Sequence, residues 1–241
     1  MKQRLSRSQE KSVVERKLRP SVSAICYPIT AYMASPSSPY QFTNLQIASG
    51  VTSAVFYESK FAIDNDGTGG NTAPDPDHQN ETSLRNVDGS SLNAEKYPFA
   101  VIPLDAAEAK REGAKPKHPD LPDFGALGLR LGDLGIAFWR ERRTGKVAYA
   151  FFCYGDSGPG NSLGEGSVLL AKELSINPSP TSGGYTTKEV ITMGKGIVHV
   201  VFPGSTDLKM QRRLPTTNRS ANDVETQARQ LWVKFTGKNL P

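Results

Sequence analysis

The segment that most constrains this chain begins with an unbroken apolar run, Tyr149, Ala150, Phe151, Phe152, Cys153 and Tyr154. It leads into a stretch crowded with Gly, Ser and Pro. A short apolar run bounded by such turn formers reads as a buried strand. Asp156 and Glu165 lie in the turn region, and Val168, Leu169, Leu170 and Ala171 then open a short apolar helix or strand. A strand that delivers two acids to a glycine-rich rim supplies what glycoside hydrolysis requires. One carboxyl protonates the leaving oxygen, and a second activates water or attacks the sugar. The competing reading is plain: Asp156 caps a turn and Glu165 is a solvated acid at a helix start.

The 241 residues fit one domain preceded by an arm. With 22 Gly, 17 Pro and many short apolar runs, a turn-rich β architecture is favoured over a helical bundle. No apolar run approaches the roughly 20 residues that span a bilayer, so no membrane span is expected. The net charge of +5 is concentrated at one end. Lys2, Arg4, Arg7, Lys11, Arg16, Lys17 and Arg19 face only Glu10 and Glu15 before Pro20, which leaves the remainder near neutral. We therefore read residues 1–20 as a basic arm and 21–241 as a single domain. No aromatic residues interleave with these charges, so nucleic acid is not an expected partner. The arm also lacks the apolar core of a secretory signal. A secreted or extracytoplasmic location would then need a route without a recognisable N-terminal signal.

Strands are expected over 54–57 and 60–63 as a first pair, with a turn at Asp64, Asn65, Asp66 and Gly67, and over 99–102, closed by Pro103. Residues 134–139 and 146–154 form a hairpin signature around Gly145, and 196–202 is a further strand stopped by Pro203 and Gly204. A short helix is expected over 105–111. The last element is a helix: Ser220 is its N-cap with Asp223 three residues on, and Val224, Ala228, Leu231 and Trp232 share one face. About six strands separated by long excursions suit a small closed barrel, which removes exposed sheet edges.

Cys26 and Cys153 are too few for a zinc cluster and read as free thiols rather than a long-range disulfide. His78, His118 and His199 show no metal-ligand spacing, and His199, between Val198 and Val200, reads as structural. No metal and no cofactor are expected.

Several segments, in order, resemble the fungal-type chitosanases of glycoside hydrolase family 75. Lys60, Phe61, Ala62, Ile63, Asp64, Asn65, Asp66 and Gly67 are similar to that family's Lys-x-x-Ile-Asp-Cys-Asp-Gly segment. Asp75 and Pro76, followed by Glu81, Thr82, Ser83 and Leu84, resemble the next loop. Leu92, Asn93 and Ala94, and then Tyr97 to Pro103, resemble its Leu-x-Ala segment and Pro-Tyr-Val-Val-x-Pro strand. Gly155 with Asp156, and Gly164, Glu165, Gly166 with Ser167, resemble the segments that carry the family's two essential acids. Residues 198–205 resemble its final strand. The likeness covers about 55–205. Two features depart from it: Asn65 stands where the family has a cysteine, and a basic leader replaces a secretion signal. A more distant likeness to double-psi β-barrel glycan-cleaving domains places Glu165 as proton donor. The resemblance implies a mainly β fold, a six-stranded double-psi-like β-barrel with long loops and a C-terminal helix.

On this reading the chain is an endo-acting, inverting hydrolase of β-1,4-linked amino-sugar polysaccharide. Glu165 is the general acid and Asp156 the base, with Asp64 as the alternative base. Asp64 and Asp66 are placed to hold a glucosamine ammonium, and Tyr154 to offer a ring face to a sugar. Two other readings stay open. One is a peptidoglycan-cleaving glycosidase or lytic transglycosylase, which as an antibacterial effector would have an immunity protein as partner. The other is a glycan-binding barrel without catalysis.

Overall fold

The computed structural model describes residues 45–48, 53–67, 78–103, 123–140, 145–158, 163–176, 179–181, 184–186, 196–211 and 214–240. The basic arm, Cys26, Asp75, His118 and the helix expected over 105–111 lie outside the described residues.

In chain order the strands are β1 (Leu45–Ala48), β2 (Ala54–Ser59), β3 (Ala62–Asp64), β4 (Arg85–Asn86), β5 (Phe99–Pro103), β6 (Leu134–Arg140), β7 (Val147–Gly158) and β8 (Glu165–Ser167). Helix α1 (Val168–Glu173) follows. Then come β9 (Ser179–Thr181), β10 (Gly184–Thr186), β11 (Ile197–Phe202), β12 (Lys209–Gln211), β13 (Leu214–Thr217) and helix α2 (Ala221–Thr236). The protein is mainly β, with one large mixed sheet and a C-terminal helix. Among the described residues that sheet has eight strands in the order β1-β2-β11-β6-β7-β5-β8-β3, and its two ends do not pair with each other. Smaller sheets of β9 with β10, and of β4, β13 and β12, stand beside it.

The expected hairpin is present: β6 and β7 pair antiparallel from Leu134↔Cys153 to Arg140↔Val147. The expected pairing of 54–57 with 60–63 is not. Strand β2 pairs with β1 and β11, whereas β3 pairs with β8. Only Lys60 and Phe61 separate β2 from β3, and neither supplies the left-handed backbone that a two-residue hairpin turn demands. Phe61 is buried instead, so the chain carries on and the two strands join different neighbours.

Both faces of the central strands are covered, which is why β7 reads as continuously apolar rather than alternating. On one face Phe152 and Tyr154 pack with Tyr57, Ala137, Ile197 and Val201. On the other, Phe151 and Cys153 pack with Ile136, Val200 and Phe202 beneath Val224 and Ala228 of α2. Cys153 is a free, buried thiol. Helix α2 is set by a capping box at Ser220 and Asp223 and ends at Gly237 in a left-handed conformation. Just before it, Arg219 donates to the carbonyls of Gly132 and Ser205 and pairs with Asp207 at 3.2 Å, tying the helix start to the loops beside the sheet.

His199 projects into the first face. Its ring lies 4.5 Å from that of Tyr57 and 5.7 Å from that of Phe152, edge to face in both cases. Neither ring nitrogen has a hydrogen-bond partner among the described residues. Burial pushes its pKa down from 6.5 to about 3. The unfolded chain therefore takes up a proton below its ordinary value that the folded chain refuses. Stability from this residue is present above that value and drains away as the pH falls towards the folded one. Relative to His199→Leu, the parent should lose about 2 kcal/mol more between about pH 7 and about pH 5. Denaturant unfolding at the two pH values measures this. Parallel losses in the two proteins would rule out the buried neutral imidazole.

Candidate active site

The site is created by an irregularity in β7. That strand pairs in parallel with β5, with Phe99 facing Cys153 and Ala100 facing Tyr154; the register then shifts, and Val101 faces Asp156. Gly155 is the extra residue of a β-bulge. In a regular strand Tyr154 and Asp156, two apart, would share a face. The bulge leaves Tyr154 in the core and turns Asp156 to the side of Val101. Gly is needed here because a Cβ would lie 2.5 Å from Phe99 Cβ and 2.7 Å from Leu92 Cδ1.

Strand β8 runs antiparallel to β5 through Ala100↔Gly166, which sets Glu165 opposite Val101 from the other edge. Val101 thus stands between Asp156 and Glu165 on three adjacent strands, with roughly 10 Å between the outer Cα atoms. The Glu165 carboxylate leans across this row. A Cβ built on Gly158 would meet its Oε2 at 3.4 Å and Val101 Cγ1 at 2.7 Å. Asp64 comes from the far side: β3 pairs with β8 in parallel, Ala62 with Glu165 and Asp64 with Ser167. Two residues on from Ala62, Asp64 shares the face of Glu165, their Cα atoms roughly 8 Å apart.

Asp64 ends β3 in a turn in which its Oδ1 accepts from the Asp66 amide at 2.8 Å. Asp66 Oδ1 in turn accepts from the Gln79 amide at 2.7 Å and lies 3.8 Å from His78 Nδ1. One oxygen each from Asp64, Asp66 and Asp156 lie within 4.8 Å of one another, close enough to share one positive charge. Asp156 is 7% exposed. Its Oδ1 accepts three hydrogen bonds: from the Ser83 amide at 2.9 Å, the Ser83 hydroxyl at 2.6 Å and the Ser157 amide at 2.7 Å.

Burial is the main force on the acids. It holds the Asp64 carboxyl well above the usual carboxylate range, and the charge of Asp156 adds to this. The Asp66 amide pulls the other way, and Asp66 and Glu165 push upward again. Burial also raises Asp156, against the donors of Ser83 and Ser157, with Glu165 adding to the rise.

Asp64, Asp66, Asp156 and Glu165, read from four positions spread over a hundred residues of sequence, thus meet in one electrostatic cluster. Asp156 and Glu165 occupy strands rather than the turn expected of them. Tyr154 does not join them. It is fully buried, its hydroxyl 2.9 Å from that of Tyr57, so it offers no ring face to a sugar. Sequence reasoning missed Ser83, His78 and Val101 as parts of the site. Ser83 lies in a segment that the resemblance included, but nothing in its spacing joins it to an acid 73 residues later.

No protein-family model matches this chain, and no curated protein matches it; its function rests on the geometry of these residues.

Proposed function

We propose that the chain is an endo-acting glycoside hydrolase, a divergent relative of the family 75 chitosanases, that cleaves β-1,4-linked amino-sugar polysaccharide with inversion. The observation that carries this reading is the row Asp156, Val101, Glu165. It puts two carboxylates on one face of the sheet, on the strands either side of Val101; an inverting pair needs its carboxyls roughly 6.5–9.5 Å from each other. Glu165 gives its proton to the leaving glycosidic oxygen as the bond to the anomeric carbon breaks. Asp156 takes a proton from the water whose oxygen bonds to that carbon. Three donors on Asp156 favour its ionised, basic form. Asp64, whose carboxyl is held towards the protonated form, is less available as the base.

The surplus of carboxylates favours a cationic polymer. Asp64 and Asp66 are placed to meet a sugar ammonium, and an anionic peptidoglycan strand would be repelled. A double-psi-like barrel is also part of the proposal. The consecutive strands β2 and β3 take part near opposite ends of the sheet order, so a sheet that curls on itself would be joined through them. The parallel pairs β5–β7 and β3–β8 fit such an interlocked arrangement.

Soluble chitosan and purified peptidoglycan, incubated side by side, test the substrate, and the anomer first released tests inversion. Cleavage of peptidoglycan alone, or of neither, overturns the reading. Glu165→Gln should lower turnover roughly 10²–10⁴-fold with an unchanged melting temperature. Gly158→Ala probes the same carboxylate without removing it. The new methyl would press on Val101, which stands between the two acids, and come into contact with Oε2 of Glu165, so kcat should fall by roughly tenfold with little change in KM. A folded Gly158→Ala enzyme with parental kcat would show that the placing of Val101 between the two acids does not govern turnover.

A further inference from the structure

We propose that Ser83 is the positioning residue of this site: it pins the Asp156 carboxylate by Oδ1 and so presents Oδ2 to the attacking water. The inference rests on the reading of Asp156 as the working base.

Asp156 needs such a device. It follows directly on the bulge, where the ladder that would fix its backbone is interrupted. Ser83 replaces that support with two donors from one residue, amide and hydroxyl, both on the same oxygen. The direction of the hydroxyl chain follows from proton counting. The one proton of Ser83 Oγ goes to the carboxylate, so the 2.6 Å contact between Ser83 Oγ and Ser157 Oγ must be donated by Ser157. The Ser157 amide also donates to Ser83 Oγ, at 3.2 Å, and to Asp156 Oδ1. Every one of these bonds converges on Oδ1 or on the hydroxyl that serves it, and Oδ2 receives none of them.

The bracket itself is stiff. Ser83 sits between two buried residues, Thr82 and Leu84. The Leu84 amide donates to the Gly155 carbonyl at 3.0 Å, on the bulge residue itself. Thr82 Oγ1 donates to the Leu84 carbonyl at 2.7 Å and accepts from the Leu92 amide at 2.9 Å. Ser83 is thus referenced to the same backbone irregularity that turns Asp156 outward. A carboxylate that is merely buried would rotate about its own χ angles; one held by two donors on a rigid segment cannot do so without breaking both. Reacting groups need this, since displacements of about 1 Å can cost about a hundredfold in rate.

The test compares Ser83→Ala with Ser83→Thr, which keeps the hydroxyl. Ser83→Ala should lower kcat on soluble chitosan about tenfold or more with KM within about twofold, and Ser83→Thr should restore most of the loss. A crystal structure of Ser83→Ala should show the Asp156 carboxylate turned from its place. Unchanged kcat, or a carboxylate that stays in place, overturns the proposal. If the parent protein cleaves no glycan, the hydrolase reading falls, while the Ser83→Ala structure still decides whether Ser83 orients Asp156. Should Ser83→Ala fail to fold, Ser83→Cys, nearly the same size but a poor donor, carries both measurements.

Discussion

The whole site depends on one extra residue in β7. Without the bulge at Gly155 the alternation of a regular strand would put Asp156 on the face of Tyr154, away from Val101 and Glu165. With it, a single strand serves both a closed aromatic interior and a working edge. The cost is local: the ladder is broken where a carboxylate must be held most firmly. The residues around it compensate for that loss. Leu84 donates to the bulge carbonyl, Phe99 and Leu92 fill the space a side chain would take, and Ser83 holds the acid. Removing the glycine would disturb packing and acid together, which is why the two cannot be assigned to separate parts of the molecule.

The fold was legible wherever local chemistry decides it. The β6–β7 hairpin, the strand before Pro203 and the capping box at Ser220 all follow from residues within a few positions of one another. What the chain did not reveal lies in long-range pairing. Lys60 and Phe61 give no sign that β2 and β3 join opposite parts of the sheet, and no periodicity announces a register shift between Ala100 and Val101. Tyr154 shows the consequence. At a strand end beside acids it resembles a platform for a sugar, yet it is the residue before the bulge, and so belongs to the core. The acids were readable as residue types in glycine-rich surroundings. Their convergence needed the registers of β5 with β7, β5 with β8 and β3 with β8 together.

In the proposed reaction, burial and mutual repulsion set the carboxyls apart more than position in sequence does. Asp64, half-buried, and Asp156, buried, are close and pushed in the same direction, but only Asp156 has several donors aimed at its charge. A pair of this kind does not ionise twice easily. The donors of Ser83 and Ser157 select which member carries the charge.

This asymmetry has a counterpart in stability. Carboxyls raised in the folded state favour folding less as pH climbs through their folded values, because the folded chain holds protons that the unfolded chain has already released. His199, buried and neutral, acts with the opposite slope, weakening the fold as pH falls below its ordinary value. The molecule is therefore opposed from both sides: an acid cluster that resists full ionisation and an imidazole that resists protonation. A cation bound among Asp64, Asp66 and Asp156 would relieve the first without touching the second, since the two lie on different faces of the sheet. In the proposed reaction an amino-sugar ammonium would supply that charge from the substrate itself, so the ligand would also stabilise the acids that it meets.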